Sequence, residues 1–303
     1  MAFTEPRQFQ AMEEALSALF GKNVQIVESR RVTGGDVNEA CKLTLTNGKQ
    51  IFVKRNAMEN ADIFVAETVG LLAIAATGTI KIPDILGTGI DRERGCSFLL
   101  MEYIESGSRG RDFWKTFGRQ LADMHRAPTD ELTAGGKFGF VMDNYIGIRK
   151  QKNDICDSWT AFFRDCRLAP QFEAAYGYFD RTERKKITGL LDRVGDVLVE
   201  PTHPSLLHGD LWAGNFMTGT DGRGWLIDPA AYVGHAEADI AMTELFGGFS
   251  QSFYDAYREA APVQPGYEER RDLYNLYHLL NHLNMFGVTY LSGVKRILKK
   301  YMS

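Results

Sequence analysis

Apolar positions along this chain change their period about a third of the way in. Phe9, Met12, Leu16, Leu19 and Phe20 recur at helical spacing, and Gly21 follows as a stop, so Phe9 to Phe20 predicts a helix. Short β-rich runs come next over Val24 to Val32, Ala40 to Thr46 and Gln50 to Lys54. Asn47-Gly48 between the last two is a strong local hairpin signal. Ala61 to Ala76 predicts a helix. Asp84 to Ile90 and Ser97 to Glu102 predict strands, and Phe98, Leu99, Leu100 and Met101 are apolar in succession, as in a strand buried on both faces.

The pattern turns at Glu105-Ser106-Gly107-Ser108. Beyond it helical spacing dominates, over Phe113 to His125, Trp159 to Ala175, Arg181 to Val199, Phe249 to Ala260 and Tyr267 to Phe286. Pro128 to Asp157, with Gly135-Gly136, Gly139 and Gly147, predicts a loop-rich stretch. The expected fold is α+β, with a small β-rich lobe over residues 1–103 and a larger, mainly helical lobe over 104–303.

Composition narrows the classes of function. The 303 residues are 44% hydrophobic and 24% charged, which is ordinary globular chemistry and not that of a disordered chain. A net charge of −4 lacks the basic excess of a nucleic-acid binder, yet permits a local pocket for an anion. The four cysteines form no Cys-x-x-Cys pair, and reduced thiols are expected. The acidic, amphipathic start is unlike a signal peptide, and the most apolar stretch, Val69 to Ile80, is too short and too interrupted to span a membrane. The expectation is a cytoplasmic protein without nucleic-acid or membrane partners.

Candidate chemistry concentrates in His208-Gly209-Asp210-Leu211-Trp212-Ala213-Gly214-Asn215, which sets an Asp and an Asn five positions apart. That is the spacing of the protein-kinase catalytic loop, where the Asp orients and deprotonates a hydroxyl and the Asn holds Mg²⁺. A plain turn explains the pair alone, since Gly, Asp and Asn are turn residues. Thirteen residues on, Leu226-Ile227-Asp228-Pro229 reads as an apolar strand ending in a second candidate metal ligand, which a plain turn does not explain. Upstream, Gln50 to Lys54 is an apolar strand ending in a lysine suited to α- and β-phosphates, or in a solvated edge lysine. Glu67, mid-helix beside Phe64, Leu71 and Leu72, is the preferred partner for that lysine over Glu59. Thr33-Gly34-Gly35-Asp36-Val37-Asn38 offers Gly34 and Gly35 for close backbone approach to phosphates, though a hairpin turn accounts for two glycines equally well. His278 and His282 stand four apart but lack the Glu of His-Glu-x-x-His, and are read as packing or polar-network residues.

Together these segments resemble the fructosamine kinase (ketosamine-3-kinase) family, relatives of aminoglycoside and choline kinases with a protein-kinase-like two-lobe fold. The resemblance runs over nearly the whole chain and includes Phe52-Val53-Lys54, Met101-Glu102-Tyr103, Leu207 to Phe216, Ile227-Asp228-Pro229-Ala230, Gly234-His235-Ala236-Glu237 and Phe246-Gly247-Gly248-Phe249. It implies ATP- and Mg²⁺-dependent phosphorylation of the 3-hydroxyl of a ketosamine, a glycated amine or protein whose unstable 3-phosphate then frees the amine. It further implies Asp210 as base, Asn215 and Asp228 as Mg²⁺ ligands, Lys54 on phosphate, Glu102, Tyr103 and Ile104 at adenine, and Trp212 on the sugar, with core packing the alternative for that ring. Asp239 is expected as a buried acceptor steadying the catalytic loop. Some family members carry a Cys in the glycine-rich loop where this chain has Asp36, and the family's Pro-Gln-x-Asn-x-Trp stretch is matched only in part, by Lys150-Gln151-Lys152-Asn153-Asp154-Ile155 before Trp159. A kinase of another small hydroxyl acceptor and a catalytically inactive nucleotide-binding module stand as alternatives.

Overall fold

The computed structural model describes residues 7–32 and 38–302; Gly34, Gly35 and Asp36 of the glycine-containing loop lie outside the described residues. The N-terminal third forms a six-stranded sheet in the order β1-β5-β6-β4-β3-β2. Its strands are β1 (Gln8–Phe9), β2 (Ile26–Arg31), β3 (Glu39–Leu45), β4 (Gln50–Ala57), β5 (Ile85–Asp91) and β6 (Cys96–Glu102). All neighbouring pairs are antiparallel except β1 with β5. Helices α1 (Met12–Phe20) and α2 (Ala61–Ala76) complete this part. The predicted helix from Phe9 begins at Met12 instead, because Gln8 and Phe9 pair with Thr88 and Gly89 at the sheet edge.

Alternation along the central strands decides which helix each side chain meets. On β6, Phe98 and Leu100 pack with Met12 and Leu16 of α1, whereas Leu99 and Met101 pack with Phe64 and Leu71 of α2. On β4, Ile51 and Val53 join the α1 cluster and Phe52 joins the α2 cluster. Lys54 shares the parity of Phe52 and is thereby sent to the α2 side. The unbroken apolar run 98–101 is the signature of a strand covered on both faces.

The remainder is mostly helical: α3 (Phe113–His125), α4 (Trp159–Phe162), α5 (Ala169–Ala174), α6 (Arg181–Asp192), α7 (Glu237–Leu245), α8 (Gln251–Ala260), α9 (Tyr267–Phe286) and α10 (Leu291–Tyr301). The single helix predicted over Trp159 to Ala175 is divided by a π-type turn over Phe163–Leu168, and the one predicted over Arg181 to Val199 ends at Asp192. Three two-stranded ribbons fill the space between helices: β7 (Asn144–Ile146) with β8 (Arg149–Gln151), β9 (Ser205–Leu207) with β12 (Tyr232–Gly234), and β10 (Phe216–Thr218) with β11 (Gly224–Leu226). One large apolar core unites α3, α8, α9 and these ribbons.

The loop-rich stretch before Trp159 is held by buried amides. Asn144 Nδ2 donates to Ala231 O at 2.7 Å, and Gln151 Nε2 donates to Ala230 O at 3.0 Å and to Asn144 Oδ1 at 2.8 Å. The fully buried Arg167 of the π-type turn donates to Asn153 Oδ1 at 2.8 Å and lies 3.9 Å over the Tyr232 ring. Gln151 and Asn153, remnants of the family's loop motif, are therefore internal ties. The β7–β8 ribbon reaches α2 through a hydrogen bond from the Tyr145 hydroxyl to Asp62 Oδ2. Helix α2 is further seated on the segment after β11 at Gly70, where a side chain would stand 3.2 Å from Ala231 Cβ and 3.3 Å from Pro229 Cγ. Lys81 adds an ion pair to Asp221 at 2.7 Å.

Candidate functional site

A cavity of about 1010 Å³ opens between the sheet and the helical part. Lys54, Glu67, Glu102, Tyr103, Ile104, Asp210, Trp212, Asn215 and Asp228 all line it, so every candidate residue within the described region converges on one space.

From the sheet side, Lys54 Nζ meets Glu67 Oε1 at 2.6 Å and also donates to Asp228 Oδ1. Glu67 lies between Phe64 and Leu71 on the inward face of α2, which is why it, and not Glu59 in the preceding turn, reaches the lysine. Burial opposes the charge on Lys54, yet Asp228 and Glu67 outweigh it and raise its pKa. Burial pushes Glu67 up to about 7, against the pull of Lys54. Asp228 follows β11 by two residues and adopts φ +54°, a left-handed conformation that Asp tolerates better than most side chains. The strand predicted to end in Asp228 stops at Leu226, and the strained turn aims the carboxylate, 39% exposed, at the cavity.

Across the cavity, the loop after β9 is held by Asp239 of α7. Its Oδ2 accepts from the His208 N–H at 2.7 Å and its Oδ1 from the Gly209 N–H at 2.9 Å. Asp239 also faces His125 Nε2 at 3.2 Å, while His125 Nδ1 meets the Tyr257 hydroxyl at 2.7 Å. Although burial works against its charge, these donors lower the Asp239 pKa. Gly209 has φ +81°, and a Cβ there would lie 2.1 Å from Ala230 O, so only glycine fits. His208 Nε2 donates to Ile227 O at 2.9 Å and its Nδ1 accepts from the Asp210 N–H at 3.2 Å, tying the loop to the Asp228 turn.

Asn215 Nδ2 donates to Asp210 O at 2.8 Å and to Asp210 Oδ2 at 2.9 Å. Burial pushes the Asp210 pKa up to about 7; Asn215 counteracts this, and Asp228 and Asp239 reinforce it. Trp212 is 39% exposed, with its ring edge-on to Phe246 at 6.2 Å. Phe246, His282, Phe286 and Tyr290 continue that wall. The helical periodicity over Tyr267 to Phe286 pointed to packing and did not single out Phe286, nor was Phe246 or Tyr290 read as part of a site. The structure shows the wall through Phe286 and Trp212, two large rings left partly in solvent, of which Trp212 was read from the sequence.

A buried lysine paired with a helix glutamate on a β-sheet, opposite an Asp and Asn held on a rigid loop, defines the phosphotransferase class with a protein-kinase-like, α+β architecture. The family model described as "Fructosamine kinase" matches residues 8–303, and the chain belongs to the fructosamine kinase family. It is 38% identical over 303 residues to the "Probable ketoamine kinase slr1563" of Synechocystis sp., covering 99% of each chain. With the "Protein-ribulosamine 3-kinase, chloroplastic" of Arabidopsis thaliana it shares 39% identity over 288 residues, covering 93% of this chain and 85% of the relative. Among solved structures, the "Putative fructosamine-3-kinase" of Haemophilus somnus superposes with a TM-score of 0.86 at 29% identity over 97% of each chain. The choline kinase LicA of Streptococcus pneumoniae, at 16% identity and TM-score 0.59 over 96% and 97% of the two chains, shares the fold. As a kinase, this protein takes a nucleotide as phosphoryl donor.

Proposed function

We propose that the chain transfers the γ-phosphate of ATP to the 3-hydroxyl of a ketosamine, a fructosamine or ribulosamine adduct on an amine. The observation that carries this reading is the meeting of Lys54 and Asp228 with Asp210 and Asn215 around one cavity, in a chain of this family. Residues 1–103 supply the nucleotide side and 104–303 the catalytic and acceptor side. The backbone of Glu102 to Ile104 receives adenine, and Lys54, steadied by Glu67, receives phosphate oxygens. Gly34 and Gly35 contribute backbone N–H groups to the same phosphates.

The donor set suits Mg²⁺. Asn215 engages Asp210 through Nδ2, leaving its Oδ1 to ligate, and Asp228 adds a cavity-facing carboxylate. One or two such oxygens suffice when phosphates and water complete the octahedron. Bound there, the ion neutralises charge on the phosphates. Asp210 orients the acceptor hydroxyl in line and takes its proton as the oxygen attacks. The cavity's lining includes the carboxylates of Glu67, Glu102, Asp210 and Asp228 and the rings of Trp212, Phe246, Phe286 and Tyr290. Trp212 and Phe246 offer aromatic faces on which the apolar face of a sugar can lie. Four free cysteines favour a reducing compartment, which supports a cytoplasmic setting.

A Mg-ATP transfer assay against fructosyl-lysine, ribulosyl-lysine, choline and an aminoglycoside tests the reading, with phosphorus NMR locating the new ester. Phosphate at the ketosamine 3-oxygen is expected. Phosphorylation of choline or the aminoglycoside alone overturns it, as does a lack of transfer to any acceptor.

A further inference from the structure

His278 lies on α9 with its side chain buried, and its Nδ1 has no hydrogen-bond partner among the described residues. Leaving a buried polar atom unpaired costs about 1–3 kcal/mol, so a fold that keeps one calls for an explanation. Nδ1 stands 4.0 Å from Asp210 Oδ1. The opposite oxygen of that carboxylate, Oδ2, is already held by Asn215. Around the imidazole are the Tyr277 ring at 5.1 Å, His282 on the same helix, Asp239 of α7 and Arg167 of the π-type turn. Burial, followed by His282 and Arg167, pushes the pKa of His278 down to about 3, so the ring is neutral. When Asp210 is ionised, as its role as base requires, a bare Nδ1 lone pair would repel the carboxylate oxygen, so that form calls for the hydrogen on Nδ1.

We infer that His278 is a positioning residue for Asp210, its Nδ1–H closing onto Oδ1 when the acceptor fills the cavity and clamping the carboxylate between His278 and Asn215. The inference rests on the reading of Asp210 as base. The distance to be closed is about 1 Å, and hydrogen bonds that are long in a free enzyme commonly tighten in the reactive complex. Held at Oδ2 alone, the carboxylate retains rotation about its own axis. Held at both oxygens, it presents one fixed lone pair to the attacking hydroxyl, and misplacement by about 1 Å costs on the order of 100-fold in rate.

Three substitutions separate this from a packing role. His278→Asn places an N–H close to the position of Nδ1, His278→Gln places one near Nε2, and His278→Leu places none. For each, kcat, KM for ketosamine and ATP, and the melting temperature are measured. The expected result is a kcat lowered about 10- to 100-fold for the Leu and Gln variants, with both KM values within about threefold. The Asn variant recovers most of the loss. Equal losses for Asn and Leu, or a loss confined to KM, overturn the inference. Should the Leu variant fail to fold, the Asn–Gln contrast decides. In an Asp210→Asn background, His278→Leu is expected to leave the residual turnover unchanged, and a further loss there also overturns the inference. Full activity of Asp210→Asn by itself refutes the base reading instead, whatever the His278 variants do.

Discussion

Replacing Asp210 by Asn is expected to remove most of the turnover and, at neutral pH and above, to stabilise the protein. Burial raises this carboxyl from an ordinary value of 3.8 to about 7 in the fold. Between those values the folded state takes up a proton that the unfolded chain does not hold. Ionising the folded group therefore carries a penalty that is absent below pH 4, grows up to pH 7 and stays constant beyond. A shift of about three units corresponds to about 4 kcal/mol at most. The side chain is 21% exposed to the cavity, so about half of that, about 2 kcal/mol, is the realistic figure. The neutral amide escapes the penalty and keeps an oxygen for Asn215. For a chain of this size the gain raises the melting temperature by about 3 °C at pH 8 and by much less at pH 4.5. Calorimetry of both proteins at the two pH values measures this, alongside a coupled assay in which kcat falls by about 10²- to 10⁴-fold with nucleotide binding retained. A variant less stable than its parent at pH 8, or a gain independent of pH, would refute the electrostatic reasoning.

Other perturbations follow from the same geometry. Gly209→Ala drives a Cβ to 2.1 Å from Ala230 O at φ +81°, and is expected to cost at least about 2 kcal/mol and to depress kcat; a melting curve close to the parent's would show that the loop relaxes. Trp212→Ala should raise KM for the ketosamine about tenfold while KM for ATP and the melting temperature hold, because the ring is partly exposed and makes only an edge contact with Phe246. A fallen melting temperature with unchanged KM assigns the ring to packing. Lys54→Met leaves Glu67 buried without its cation and should lower both stability and activity, whereas the Lys54→Met, Glu67→Met pair is expected to recover stability in urea titration but no turnover.

How much of this was legible beforehand depended on whether a feature left a local trace. The α+β order, the helices over 61–76, 113–125 and 267–286, and the Lys54–Glu67 pairing could be read because each rests on a short-range period. Helix α7 could not: seven of its nine residues are buried, including Glu237 and Asp239, so it shows no polar stripe against which to detect an apolar one. Helix α10 does carry a stripe, Val294, Ile297 and Leu298, but it lies beyond Phe286, where the periodicity reading stopped. The β7–β8 ribbon is pinned by side-chain amides to residues some 80 positions away, which no window along the chain can register. The closeness of His278 to Asp210 is likewise a product of how α9 crosses behind the loop, and spacing with His282 suggested only a network.

The seating of α2 has a consequence for control. In kinases that are switched, the helix bearing the glutamate swings away from the lysine, and regulation acts by moving it back. Here the Lys54–Glu67 pair is closed, and α2 is tied at two further points: Tyr145 bonds to Asp62 at its start, and Gly70 lies flush on Pro229 and Ala231. An outward swing of α2 would have to break these two ties together with the ion pair. Opening the Lys54–Glu67 pair would therefore also part α2 from the segment that carries Asp228, so one piece of packing keeps the lysine and that carboxylate together.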